Sequence, residues 1–239
     1  MKTADGSLAY RVRDLSDVDA KLLGRIEWPA EVKQVRFYPE KPVENLYELL
    51  SRNIPEEYNV RLTYSAKKKE LRIPAKPAVI PDIKIRPFRT KAEALRAFVK
   101  VFRADYLKAF YPKKAWNTEI KSSLKYFEAL RLHDALRVVK GRSCVGMTLL
   151  LDWRSKDKPV TLIGWRWRDK SLTAAERQYV NHLSFTWLKR RMRPLAVAGV
   201  DGFNPASQGS MKKSGFSLLV LNLTRGRTSL PAKKAAGRS

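Results

Sequence analysis

What the chain lacks sets the first limits. One cysteine, Cys144, in 239 residues rules out a disulfide framework and a cysteine-based zinc site. It reads as a core thiol, not a nucleophile. Two histidines, His133 and His182, exclude a His-rich metal site, so no metal is expected. No apolar run approaches the roughly 20 residues of a membrane helix. The opening MKTADGSLAY has no apolar core of a secretory signal. A cytoplasmic protein with no membrane partner is expected. Internal repeats are absent. Acidic residues are scarce, 23 Asp and Glu against 49 Lys and Arg, which leaves a net charge of +26.

That imbalance points to a polyanionic partner, with DNA, RNA or the ribosome ahead of an anionic membrane surface. Solvated Lys and Arg faces are the plainer alternative, and nucleic acid is placed ahead of it. Apolar residues make up 44% of the chain, with six Trp and nine Phe, which argues for a folded core. The length suits one large or two small domains.

Residues 74–82 hold Pro74, Pro77 and Pro81, a stiff extended linker. It divides a small α+β module, 1–73, from a larger domain, 83–223, with a basic tail at 224–239. Within the module, Tyr58, Val60, Leu62 and Tyr64 alternate as in a half-buried strand. Ala66–Lys69 then predicts a hairpin turn into Glu70–Ile73.

The larger domain reads β-α-α-β-β-β-α-β-α-β. Thr90 with Glu93, and Thr173 with Glu176, have capping-box spacing and open helices to about 110 and 192. Strands are predicted at 135–140, 145–153 and 160–167. The fold class is mixed α+β with a mostly antiparallel sheet. The stretch that organises it runs from Pro194 to Thr224. Leu195–Val200 is a strand, Asn204 caps a helix with Pro205 in its first position, Gly215 stops it, and Phe216–Leu223 is a strand. The two strands splay, leaving room for something narrow between them.

This order resembles that of the GCN5-related N-acetyltransferases (GNAT), over about 83–223. Asn204-Pro205-Ala206-Ser207-Gln208 followed by Lys213-Ser214-Gly215-Phe216 is similar to the N-x-x-S…K-x-G-F segment of the Rim-type members. The resemblance implies a GNAT-like sheet with splayed central strands and an acyl donor, acetyl-CoA or another. The donor's pantetheine would pair with backbone between Val160–Trp167 and Leu195–Val200. Trp165, Arg166, Trp167, Lys170 and Asn204 would contact the cofactor. Ser207 would protonate the leaving group, and backbone N–H groups of 165–167 would hold an oxyanion. For Asn204 a plain helix cap, and for Ser207 an ordinary first-turn residue, remain open.

Two features depart from the family pattern. Its diphosphate loop is glycine-rich, but Arg168 to Glu176 here contains no glycine. Thr173 and Glu176 would fill the helix N–H groups themselves. The position of a frequent Tyr acid is Met211, which cannot donate a proton. Asp169 and Asp201, at strand ends, are the candidate bases; turn roles are the plain alternative. For nucleic acid, the candidates are Lys189, Arg190, Arg191 and Arg193 at a helix end, Lys212 and Lys213, and Arg225 and Arg227 in the tail. Together these imply a GNAT-fold acyltransferase acting on nucleic acid or a nucleic-acid-held substrate, such as a phage-type DNA base modifier. A non-catalytic nucleic-acid-binding protein on a degenerate GNAT domain is the alternative.

Overall fold

A computed structural model of the chain describes residues 7–26, 32, 34–41, 43, 46–55, 58–155, 158–202 and 204–225. They form two compact units. Described residues up to Ala66 and from Val197 onward make one, and Lys67–Ala196 make the other. Both are mixed α+β, and among the described residues no helix is long and apolar enough to cross a membrane.

In the first unit, β1 (Leu8–Val12) runs parallel to β2 (Val35–Pro39). The short helix α1 (Ala20–Arg25), capped by Asp19, lies between them in sequence. Helix α2 (Leu46–Asn53) follows. Strand β3 (Tyr58–Lys67) buries Tyr58, Val60, Leu62, Tyr64 and Ala66, the alternation expected of a half-buried strand. The unit is completed by β8 (Leu195–Asp201), α7 (Pro205–Lys213) and β9 (Ser217–Arg225). The strand order is β1-β2-β9-β3-β8.

The structure corrects three expectations. Residues 1–73 do not stand apart from 83–223: β9 pairs antiparallel with both β2 and β3. What lies between β8 and β9 is β3, registered against β9 from Tyr58↔Arg225 to Ser65↔Ser217. The hairpin into Glu70–Ile73 does not form. The amides of Glu70 and Leu71 fold back to the Lys67 carbonyl at 2.9 and 3.2 Å, and residues 71–80 have no regular structure. The long apolar strand β9 supplies the ladder that a short Glu70–Ile73 strand could not.

In the second unit the order after the Pro-rich stretch is as read from the sequence. β4 (Ile83–Ile85), α3 (Lys91–Val101), α5 (Trp116–Tyr126), β5 (Ala135–Lys140), β6 (Ser143–Ser155), β7 (Lys158–Arg168) and α6 (Ala174–Arg191) follow in turn. Strands run β7-β6-β5-β4, each antiparallel to its neighbour. One face is covered by Phe98, Phe102, Phe127 and Leu130, packed with Met147, Leu149 and Leu151. The other face packs Leu136, Val138 and Val145 against Tyr179 and Val180 of α6. Burial on both faces explains why β6 reads as a continuous apolar run.

The helix expected over 90–110 is regular only to Val101. Phe102–Leu107 is π-helical, and Lys108–Phe110 closes it as a last short turn, α4. The stretch 74–82 is tied down as well: His182 Nδ1 is 2.8 Å from the Pro74 carbonyl oxygen.

Candidate functional site

The predicted residues divide between the two units. Trp165, Arg166, Trp167, Asp169, Lys170 and Lys189–Arg193 belong to the second. Asp201, Asn204, Ser207, Lys212, Lys213 and the backbone of Arg225 belong to the first. Arg227 lies outside the described residues, as does the Arg225 side chain.

The central feature of the second unit is a bulge in β7. Its ladder with β6 steps from Leu149↔Trp165 to Leu150↔Ile163, so Gly164 is an extra residue with no opposite number. A β-bulge leaves backbone groups out of the ladder and sharpens the local twist. Glycine is required here by space. A Cβ on Gly164 would lie 2.7 Å from Phe127 Cε1 and 3.3 Å from Tyr126 Cε1.

Trp165, next to the bulge, turns its ring into the core. Phe98, Phe102 and Tyr106 meet it edge-on at centroid distances of 5.3, 5.3 and 5.6 Å. Its indole N–H is buried without a partner among the described residues. Trp167 donates its indole N–H to Asp105 at 2.5 Å, and Lys170 binds the other Asp105 oxygen at 2.7 Å. Asp105 sits in the π-helical turn, where the widened backbone places it opposite the end of β7. Sequence reasoning misses it; the one clue is an acidic residue within a basic helix.

On the α6 side of β7, Arg166 stacks its guanidinium over Phe185 at 4.5 Å. Desolvation, and then the like charge of Arg168, pulls its pKa down to about 10. Desolvation and then Arg177 lower that of Arg168, whose Nε is buried without a partner among the described residues. Arg166 thus stands over the middle of α6, and Arg168 stands nearer its first turn, beside Arg177.

The helix start itself is closed. Thr173 Oγ1 accepts from the Glu176 amide at 3.3 Å, and Glu176 Oε2 accepts from the Thr173 amide at 2.8 Å. Glu176 Oε1 also takes Lys140 Nζ at 2.5 Å. The hydrogen bond from Lys140, and then the Thr173 amide, hold the Glu176 carboxyl below its ordinary range. A carboxylate thus occupies the place where helix amides would receive a phosphate. The residues at this terminus do not fit the diphosphate of coenzyme A. Asp169 is engaged in the same loop, accepting from the Ser171 amide and hydroxyl at 2.9 and 2.8 Å, which is a turn role.

In the first unit, Asn204 is the N-cap of α7, and its Oδ1 accepts from the Ser207 amide at 3.1 Å. The Asp201 carbonyl accepts from the Asn204 amide at 3.0 Å. Ser207 is half-buried in the first turn, and Met211 is buried on the same helix. The helix ends on Gly215 at φ 84°. The Phe216 amide returns to the Met211 carbonyl and the Gly215 amide to that of Lys212, a Schellman closure that needs the left-handed residue.

Among the basic candidates, Lys189 and Lys212 are committed to backbone carbonyls, of Leu71 at 3.0 Å and Val43 at 2.8 Å. Arg193 lies 3.5 Å from Asp152. Arg190 and Arg191 are exposed. Among the described residues no group of three or more His, Cys, Asp or Glu comes together as a metal set.

No family model matches this chain. No curated protein matches it. Among solved structures it is similar to a conserved protein of unknown function from Staphylococcus epidermidis ATCC 12228, at 13% identity and a TM-score of 0.48, over 82% of this chain and 73% of that one. It is also similar to a GCN5-related N-acetyltransferase from Sphaerobacter thermophilus, at 15% identity and TM-score 0.46, over 83% of this chain and 61% of that one. An acetyltransferase of the GNAT family from Colwellia psychrerythraea aligns at 12% identity and TM-score 0.46, over 82% and 66%. The chain thus spans less than two thirds of the length of the second and third of these.

Proposed function

We propose that this protein is a GNAT-type N-acyltransferase that moves an acyl group from an activated donor, a thioester or an aminoacyl ester, to an amine on nucleic acid or on a substrate held by it. The observation that carries the reading is the Gly164 bulge in the middle of β7, in the strand whose backbone the family resemblance assigns to the donor. Backbone N–H groups released from a ladder are suited to hold an oxyanion. The amine nitrogen would attack the acyl carbonyl carbon, and the resulting tetrahedral intermediate would expel the thiolate or alkoxide. By the resemblance alone, Ser207 supplies a proton to that leaving group. Asp201, at the end of β8, is the candidate for receiving the amine proton; Asp169 holds its own loop through Ser171. The net charge of +26 supports a polyanionic acceptor.

A second reading, a nucleic-acid-binding protein without catalysis, is favoured by the closed start of α6 and by the buried Met211. The two separate in a thermal-shift series with acetyl-CoA, an aminoacyl-tRNA and short DNA and RNA, each at two salt concentrations. Saturable stabilisation by an acyl donor supports the acyltransferase. Stabilisation by oligonucleotides alone, weakening steeply with salt, supports the binding protein and contradicts the first reading.

A further inference from the structure

The second unit carries two clefts that play no part in the acyl-transfer reading. One, of about 280 Å³, is lined by Arg131, Asp152, Thr161, Arg190, Arg191 and Arg193. The other, of about 460 Å³, is lined by Ile85, Phe88, Leu132 and Trp187. Both include His133 and Arg191, so they are adjacent. They lie at the last turn of α6, roughly 25 Å along the helix axis from the Thr173 cap.

The first cleft is built, not a loose surface of cations. Asp152 fixes two of the arginines, Arg131 at 2.5 Å and Arg193 at 3.5 Å. Asp134 takes Arg131 Nε at 2.8 Å, and the Arg193 amide donates to the buried Thr161 hydroxyl at 2.8 Å. Arg190 and Arg191 are exposed and make no ion pair among the described residues. With four arginines against two carboxylates, the cleft keeps a surplus of positive charge. The second cleft is mostly apolar, with Arg137 over the Phe88 ring and Trp187 as its other aromatic residue, and Ile85 and Leu132 in its lining are 42% and 36% exposed.

A basic cleft beside an aromatic one matches the two halves of a nucleotide unit within a strand. A phosphate is held by planar guanidinium forks, and the neighbouring base lies on an indole face. We propose that this pair of clefts binds single-stranded nucleic acid, with a phosphate at Arg190 and Arg191 and a base against Trp187. The site deepens the nucleic-acid part of the proposed function. It does not depend on acyl transfer, because binding is measured with no donor present.

The test is fluorescence anisotropy of the full chain with labelled ten-nucleotide DNA and RNA across a salt series. R190A/R191A is expected to weaken binding at least tenfold at low salt and to reduce the salt slope by about 1.4, two released phosphate contacts on a single strand. W187A is expected to weaken binding about tenfold with the slope unchanged. W187F, which keeps a ring where Trp187 also packs against the core, is expected to restore most of it, with melting curves reporting the fold. K121A/K125A, on the exposed face of α5, removes the same charge and is expected to bind like the unmodified protein. Equal losses in R190A/R191A and K121A/K125A would overturn the proposal. So would R190A/R191A that only lowers the melting temperature, the result expected if these arginines merely complement the helix dipole. Inorganic phosphate or a mononucleotide competing as well as the strand would also overturn it.

Discussion

A Cβ on Gly164 would stand 2.7 Å from Cε1 of Phe127. The bulge in β7 and the aromatic cluster beneath it are therefore one packing arrangement. Phe127 is almost fully buried and stands edge-on to Phe98 at 4.9 Å, so it has little room to yield. Gly164→Ala is expected to cost about 1–3 kcal/mol by overpacking. Adding Phe127→Leu should recover part of that loss, giving a favourable coupling in a double-mutant cycle read by urea unfolding. Strict additivity would mean that Gly164 is not there for space.

Asp105 holds both the Trp167 indole and Lys170. Asp105→Ala strips a half-buried indole N–H of its acceptor and is expected to cost about 1–3 kcal/mol. Asp105→Asn keeps an acceptor for Trp167 and should cost less. Equal losses in the two variants, measured by denaturant titration, would contradict the contact.

The Glu176 carboxyl is held below its ordinary 4.5, first by Lys140 and then by the Thr173 amide. A depressed carboxylate pKa adds stability above the unfolded value and loses it as pH falls through the folded one. The melting-temperature gap between the unmodified protein and Glu176→Gln should therefore be constant at neutral pH and close below about pH 4.5. A gap that persists unchanged at pH 3 would contradict the pairing.

Opening the same helix start should change its ligand preference. Thr173→Gly with Glu176→Gly removes both capping side chains and the carboxylate. It is expected to lower the melting temperature while raising affinity for acetyl-CoA about fivefold, on the order of 1 kcal/mol of helix-terminus attraction. Isothermal titration checks this; unchanged affinity would mean that the capping box is not what excludes the diphosphate.

Gly215 closes α7 at φ 84°. Gly215→Ala is expected to cost about 1–2 kcal/mol, and Gly215→Asn less, because Asn tolerates the left-handed region. Thermal unfolding of the two variants ranks them.

Much of the second unit is legible in its amino acids, because the signals are local. Thr173 and Glu176 have the spacing of a capping box and form one. Thr90 also caps its helix, although Glu93 turns to the Arg89 amide instead. Asn204, Pro205 and Gly215 mark both ends of α7. What is not legible depends on distant pairing. Nothing in Tyr58–Lys67 says that it lies between β8 and β9, since alternation shows a buried face but not a partner. The π-helical turn at 102–107 keeps an apolar stripe close to that of an α-helix, so Asp105 gives no sign of meeting Trp167. The candidate bases and Ser207 can be placed on elements, but a Ser in a first helical turn has the same local signature whether or not it moves a proton.

The most direct test is a transfer assay. The protein is incubated with acetyl-CoA or an aminoacyl-tRNA and with single-stranded DNA or RNA, and the acceptor is digested and its nucleosides analysed by mass spectrometry. The expected result is an acyl group on a base amine, formed with one of the donors and reduced at least tenfold by Ser207→Ala. Unmodified nucleosides with every donor, from a protein that still binds the strand, would contradict acyl transfer and leave nucleic-acid binding as the function.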